Sequence, residues 1–171
     1  MNRIHACLLI VLMSLLSACG FHLRGSINLP PAWNDLHLAS ASPNSELARA
    51  FRDRLENAGI SWRDRADANY TLVLGTERFD RRNLTIGGNA RASEFELKMT
   101  TSLQVTDRAG NELMPETDVS SYKIITNDPE NVSGKLEESR LLRREMRDEL
   151  VQQLMRKLRF LATGGSASDS T

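Results

Sequence analysis

Cysteine is nearly absent: Cys7 and Cys19 are the only two in 171 residues. Both fall within the first nineteen positions, so neither a disulfide framework nor a cysteine metal site is expected in the body of the chain. Histidine is as scarce, at three, and without a leader carrying His5 only His22 and His37 remain. That is too few for a histidine-based metal centre, so no metal and no cofactor other than a covalent lipid is expected. Net charge is missing as well, with 22 basic against 22 acidic residues, which argues against a nucleic-acid partner held by bulk electrostatics. After position 16 no apolar run approaches the ~20 residues that a bilayer-spanning helix needs. No Gly-x-Ser-x-Gly elbow, His-Glu-x-x-His pair or phosphate-cradling loop occurs. Ile86-Gly87-Gly88-Asn89 is glycine-rich, but no Gly-Lys-Ser/Thr follows, and it reads as a hairpin tip.

What is present begins with a leader. Arg3 and the amino terminus supply positive charge, and Ala6 to Leu16 is an apolar stretch interrupted only by Ser14, the proportions of a signal peptide. Leu16-Ser17-Ala18-Cys19 then has the form of a bacterial lipobox. Small residues admit a peptidase, and the Cys19 sulfur accepts a diacylglyceryl group. Acylation of the new amino terminus would give three chains, enough for stable anchoring where one chain binds only marginally. The expected order is a signal peptide over 1–18, a lipidated arm over 19–34, a folded domain over 35–161 and a disordered tail over 162–171. Gly20 after the cysteine favours sorting to the outer membrane.

The domain has its own periodicities. Leu36-His37-Leu38 alternates as a short strand. Ser45 or Ser42 is the candidate helix cap, Leu47, Phe51, Leu55 and Ala58 form one helical stripe, and Gly59 ends it. Tyr70, Leu72 and Leu74 alternate, and Phe95, Leu97, Met99, Thr101, Leu103 and Val105 share one parity over a long strand. Asp107 to Asn111 turns the chain, and Ser120 to Thr126 returns it. Leu142, Met146, Leu150, Leu154 and Leu158 mark a last helix that is secure from Leu136, with either Asp128-Pro129 or Ser133-Gly134 as its opening. The order β-α-β-β-β-α predicts an α+β fold, a two-layer α/β sandwich with both helices on one face of a four-stranded mixed sheet.

Two clusters could recognise a ligand. Arg78, Arg81, Arg82 and Arg91 bracket what reads as the loop between the second and third strands, and arginine forks bind phosphate or carboxylate with two parallel hydrogen bonds. Arg140, Arg143, Arg144, Arg147 and Asp148 form the polar side of the last helix, which reads as a solvated face with an Arg144–Asp148 pair. Glu94 and Glu96 share a strand face in the manner of a catalytic carboxylate pair, but a solvated sheet face explains them as well. No enzymatic activity is expected.

Several segments, in order, carry a family resemblance: Cys19-Gly20-Phe21-His22-Leu23-Arg24, the helix ending RDRLENAGI, the strand ASEFELKMT, and the final NDPENVSGKLEESRLLRREMRDELVQQLMRKL. The chain resembles the lipopolysaccharide (LPS) assembly lipoproteins of the LptE (RlpB) family from Cys19 to about Leu158. The resemblance implies a lipid-anchored, non-enzymatic protein on the periplasmic side of the outer membrane. Such a protein plugs the LptD β-barrel, helps its assembly and takes part in LPS insertion into the outer leaflet. Some members bind LPS through a basic residue at the start of the third strand and a lysine early in the last helix. Lys135 matches the lysine by its distance from Pro129. Gly88 occupies the other position, so Arg91, or Arg81 and Arg82, would have to substitute. The alternatives are a periplasmic scaffold or inhibitor that does not act on LPS, and a small hydrolase built on Glu94 and Glu96.

Overall fold

The computed structural model of the protein describes residues 29–86, 92–126 and 135–164. Cys19, Arg91, the Asp128-Pro129 opening and the tail from residue 165 onward lie outside the described residues.

A 3-10 turn over Pro31–Trp33 leads into β1 (Asp35–Ser40). Trp33 is buried and stacks on Tyr70 with ring centroids 4.2 Å apart. Helix α1 (Glu46–Glu56) opens at Ser45, whose hydroxyl accepts from the Ala48 backbone N–H at 3.1 Å. Leu47, Phe51 and Leu55 are buried along its inner side, and Gly59 follows with φ 89°, a conformation that only glycine adopts at little cost. Each of these large side chains contributes roughly 1.5–3 kcal/mol by leaving water.

Next come β2 (Ser61–Trp62), β3 (Tyr70–Leu74), β4 (Arg78–Ile86), β5 (Ala92–Asp107) and β6 (Glu112–Thr126). Strands β1, β2 and β3 run parallel, and β5 is antiparallel to β3, β4 and β6. The chain closes with α2 (Lys135–Ala162). Both helices pack on one face, where Leu36, Leu72, Leu74, Leu97, Met99, Leu103 and Val105 meet the α1 stripe and Met146, Leu150, Leu154 and Leu158 of α2. The α+β layers are as expected, but the sheet has six strands rather than four.

The two additional strands escaped notice for different reasons. Two-residue β2 is too short to carry a period. Strand β4 occupies the arginine-rich segment read as a loop, and a bulge hides its pattern. Both β3 and β4 pair with the same edge of β5: Leu74 faces Leu103, and Arg78 faces Thr100. Four residues on one side therefore span three on the other. The extra residue lies in Gly75-Thr76-Glu77, so inward-facing positions are even in β3 but odd in β4.

Gly75 makes that bulge possible. Its N–H donates to the Ser102 carbonyl at 2.8 Å and its carbonyl accepts from the Thr101 hydroxyl at 2.9 Å. A Cβ there would lie 2.2 Å from Ser102 Oγ.

Helix α2 is 28 residues long, about 42 Å at 1.5 Å per residue. Burial begins in earnest only at Met146, and residues 137–141 and 143–145 are exposed. The first half of α2 and the paired ends of β4, β5 and β6 thus form an end of the molecule that extends past the main core. Among the described residues no helix is long and apolar enough to cross a membrane.

Candidate ligand-binding end

The register brings Arg81 and Arg82 toward this extended end, opposite Leu97 and Glu96. Ile86 pairs with Ala92 and Glu94 with Thr126, so the connections 87–91 and 127–134 both join elements that end there. Arg91 is in the first connection. Lys135 is the first residue of α2, with its side chain outside the described residues.

Arg81 and Arg82, grouped in the sequence as loop residues, are neighbours on a strand, and their side chains diverge. Arg82 takes the face away from the helices and grips Glu96 with both ends of its fork: Nε to Oε1 at 2.7 Å and Nη2 to Oε2 at 3.2 Å. Lys98 follows on β5, opposite Asp80, with its ammonium 5.5 Å from the centre of the Tyr122 ring. Asp80, Arg82, Glu96, Lys98 and Tyr122 line a shallow depression of about 240 Å³, which Arg81 also borders. Tyr122 and Ile124 are strongly exposed on this face, at 53% and 66%. Arg81 is opposite Leu97, on the helix side, with its guanidinium 3.5 Å from the centre of the Phe95 ring. Arg78 lies 3.9 Å from Asp118, its one ion-pair partner among the described residues.

Beside the apolar packing, polar contacts join α2 to β6. The Ser121 hydroxyl donates to Glu149 at 2.5 Å, and Lys123 reaches Glu149 at 2.9 Å and Glu145 at 3.7 Å. The Ser121 hydrogen bond first, and then the ammonium, hold the Glu149 carboxyl below its ordinary range. The same contact raises Lys123.

Arg147 is not part of a solvated face, as its place on the polar side of the helix suggests. It retains 11% of its side-chain exposure and donates to Glu77 at 2.8 and 2.9 Å and to Glu46 at 2.5 Å. One guanidinium thus ties α2 to the β3–β4 bulge and to the first turn of α1. These partners, Glu77 foremost, push Arg147 further up. Sequence reasoning missed the clamp because Glu46 and Glu77 lie 101 and 70 residues away. Arg143, one turn earlier, sits 3.9 Å above the Phe79 ring. The expected Arg144–Asp148 pair is replaced by a 3.7 Å contact between Arg144 and Glu137.

Comparison with known proteins now bears on this arrangement. A profile of the family described as "LptE: Lipopolysaccharide-assembly" matches residues 33–158. The chain belongs to the LptE family. It is 31% identical to the LPS-assembly lipoprotein LptE of Yersinia enterocolitica over 160 residues, covering 92% of this chain and 76% of that protein. Against the protein of the same name from Pectobacterium atrosepticum, identity is 29% over 92% of this chain and 85% of that one. The crystal structure of rare lipoprotein B from Shewanella oneidensis superposes with a TM-score of 0.65 at 26% identity, covering 73% of this chain and 93% of that chain. The solution structure of an uncharacterized lipoprotein B from Nitrosomonas europaea shares the fold, with a TM-score of 0.73 at 19% identity over 85% and 94% of the two chains. The family match begins at Trp33, the first tryptophan of the buried core, and ends at Leu158, the last deeply buried leucine of α2.

Proposed function

We propose that the protein is a lipid-anchored subunit of the outer-membrane LPS transport machinery that docks in the LptD β-barrel, assists its assembly and works with it in delivering LPS. The family match over 33–158 carries this reading, because it spans the domain's buried core from end to end. Cys19 would bear the S-diacylglycerol and N-acyl chains and hold the domain at the periplasmic face of the outer membrane.

The geometry suits such a role. A protein filling a barrel lumen meets polar walls, and the sheet face turned away from the helices presents Arg78, Asp80, Arg82, Glu96 and Lys98 in cross-strand rows. The reading is non-catalytic: the Glu96 carboxylate, half of the conceivable pair with Glu94, is gripped by Arg82. On this reading Lys135 and Arg91, with Arg81 and Arg82 of β4, are the residues that would contact LPS directly.

Affinity purification of the tagged full-length chain from the bacterium that encodes it tests the reading. One large outer-membrane β-barrel should accompany it in about one-to-one amount, and Cys19→Ser should abolish labelling by radioactive palmitate. Recovery of soluble periplasmic proteins instead of a barrel would favour a scaffold or inhibitor.

A further inference from the structure

Four arginines at positions 140, 143, 144 and 147 stand three, four and seven residues apart, which places them in one row on α2. Together with Glu46 and Glu137 they line a groove of about 570 Å³ on the helical side of the molecule, within the usual volume range of small-ligand sites. This groove is distinct from the depression around Arg82, whose lining it does not share.

The charges in the groove are not balanced alike. Arg147 is satisfied by Glu77 and Glu46 and forms a fixed, nearly buried wall. Among the described residues, Arg140, Arg143 and Arg144 have one other lining carboxylate between them, that of Glu137. Arg140 reaches it at 3.5 Å and Arg144 at 3.7 Å, both longer than a good charge-assisted hydrogen bond. Arg143 has its guanidinium held over Phe79, a contact that uses the cation's face and leaves its edge donors for another partner. Like charges three and four residues apart on a helix repel modestly, and a bound anion would relieve that repulsion. A phosphate, with several acceptor oxygens, matches three converging forks better than a single carboxylate does.

We propose that this groove is a binding site for a phosphomonoester or pyrophosphate group, with Arg140, Arg143 and Arg144 as its donors and Arg147 as its fixed wall. The assignment rests on the LPS reading only for the source of the phosphate, a lipid headgroup rather than a free ion.

The full-length protein in detergent would be titrated with bis-phosphorylated lipid A, with the same lipid after enzymatic removal of its phosphates, and with inorganic pyrophosphate. The phosphorylated lipid should bind at least ten-fold more tightly than the dephosphorylated one. The double variant Arg143→Gln/Arg144→Gln should lose that difference, whereas Arg156→Gln, an exposed arginine at the core end of α2, should keep it. Lysine at both 143 and 144 should restore part of the discrimination. Pyrophosphate should shift the backbone amide resonances of residues 138–148, and binding as tight as the lipid's would make a free phosphate the ligand. Both positions are exposed, and a thermal melt would check that the variants stay folded. Equal affinity for the two lipids, or wild-type discrimination by the double variant, would overturn the proposal. Failure of the phosphate test with the barrel still copurifying removes this site alone; loss of the barrel with phosphate binding intact removes the transport reading alone.

Discussion

Arg147 shows how one residue can join distant parts of a small fold. Its donors reach Glu77 beside the bulge and Glu46 at the start of α1, while its own backbone belongs to α2. Removing the guanidinium leaves the Glu77 carboxylate, itself only 18% exposed, without its cation. Breaking a fully buried pair in this way costs about 3–5 kcal/mol, and the strong exposure of Glu46 reduces the figure here. Arg147→Ala should therefore destabilise the protein by about 2–4 kcal/mol in chemical denaturation. Glu46→Gln, which touches only the exposed arm of the clamp, should cost less than about 1 kcal/mol. Equal losses for the two variants would show that the clamp does not divide in this way.

At the scale of elements, the join between β3 and β4 is the most demanding piece of backbone. Gly75→Ala brings a methyl group against Ser102, whose hydroxyl already donates to Glu116 at 2.7 Å. Overpacking of this kind costs about 1–3 kcal/mol, and the denaturation midpoint should fall accordingly. Adding Ser102→Ala removes the nearest atom and should recover part of the loss; no recovery would place the strain in the backbone contact at 3.1 Å instead. The same bulge explains what the sequence concealed. Leu72 and Leu74 announce β3, and Phe95 to Val105 announce β5, because each keeps a single parity. Extending the parity of β3 onward puts Arg78 and Asp80 inside, which looks like the end of a sheet. In the structure the parity shifts, Phe79 faces Met99, and the edge strand needs few apolar residues to hold its place. Both helices were legible, since their stripes repeat without interruption. Of the candidate site, the residue types were legible but their groupings were not: Arg81 and Arg82 are adjacent in sequence yet diverge, whereas Arg147 and Glu77 converge from far apart.

The whole molecule is divided between a main core and an extended end. The first holds Phe51, Leu72, Leu103, Leu150 and Leu154, all fully buried. The second relies on Arg81 over Phe95, Arg143 over Phe79 and the Lys123–Glu149 pair. Local opening follows the number of buried apolar contacts. Hydrogen exchange should therefore be slowest at Leu72, Leu103, Leu150 and Leu154, near the limit set by global unfolding. Amides of residues 139–144 should exchange orders of magnitude faster, and uniform protection along α2 would contradict the division. The long last helix runs through both regions, and this has a consequence for sequence drift. Exchanges at its exposed positions 140 and 144 carry little thermodynamic penalty, typically within about 0.5 kcal/mol, while those at 146, 150 and 154 carry a large one. Ligand preference can thus diversify at one terminus of a rod whose other terminus keeps the protein folded.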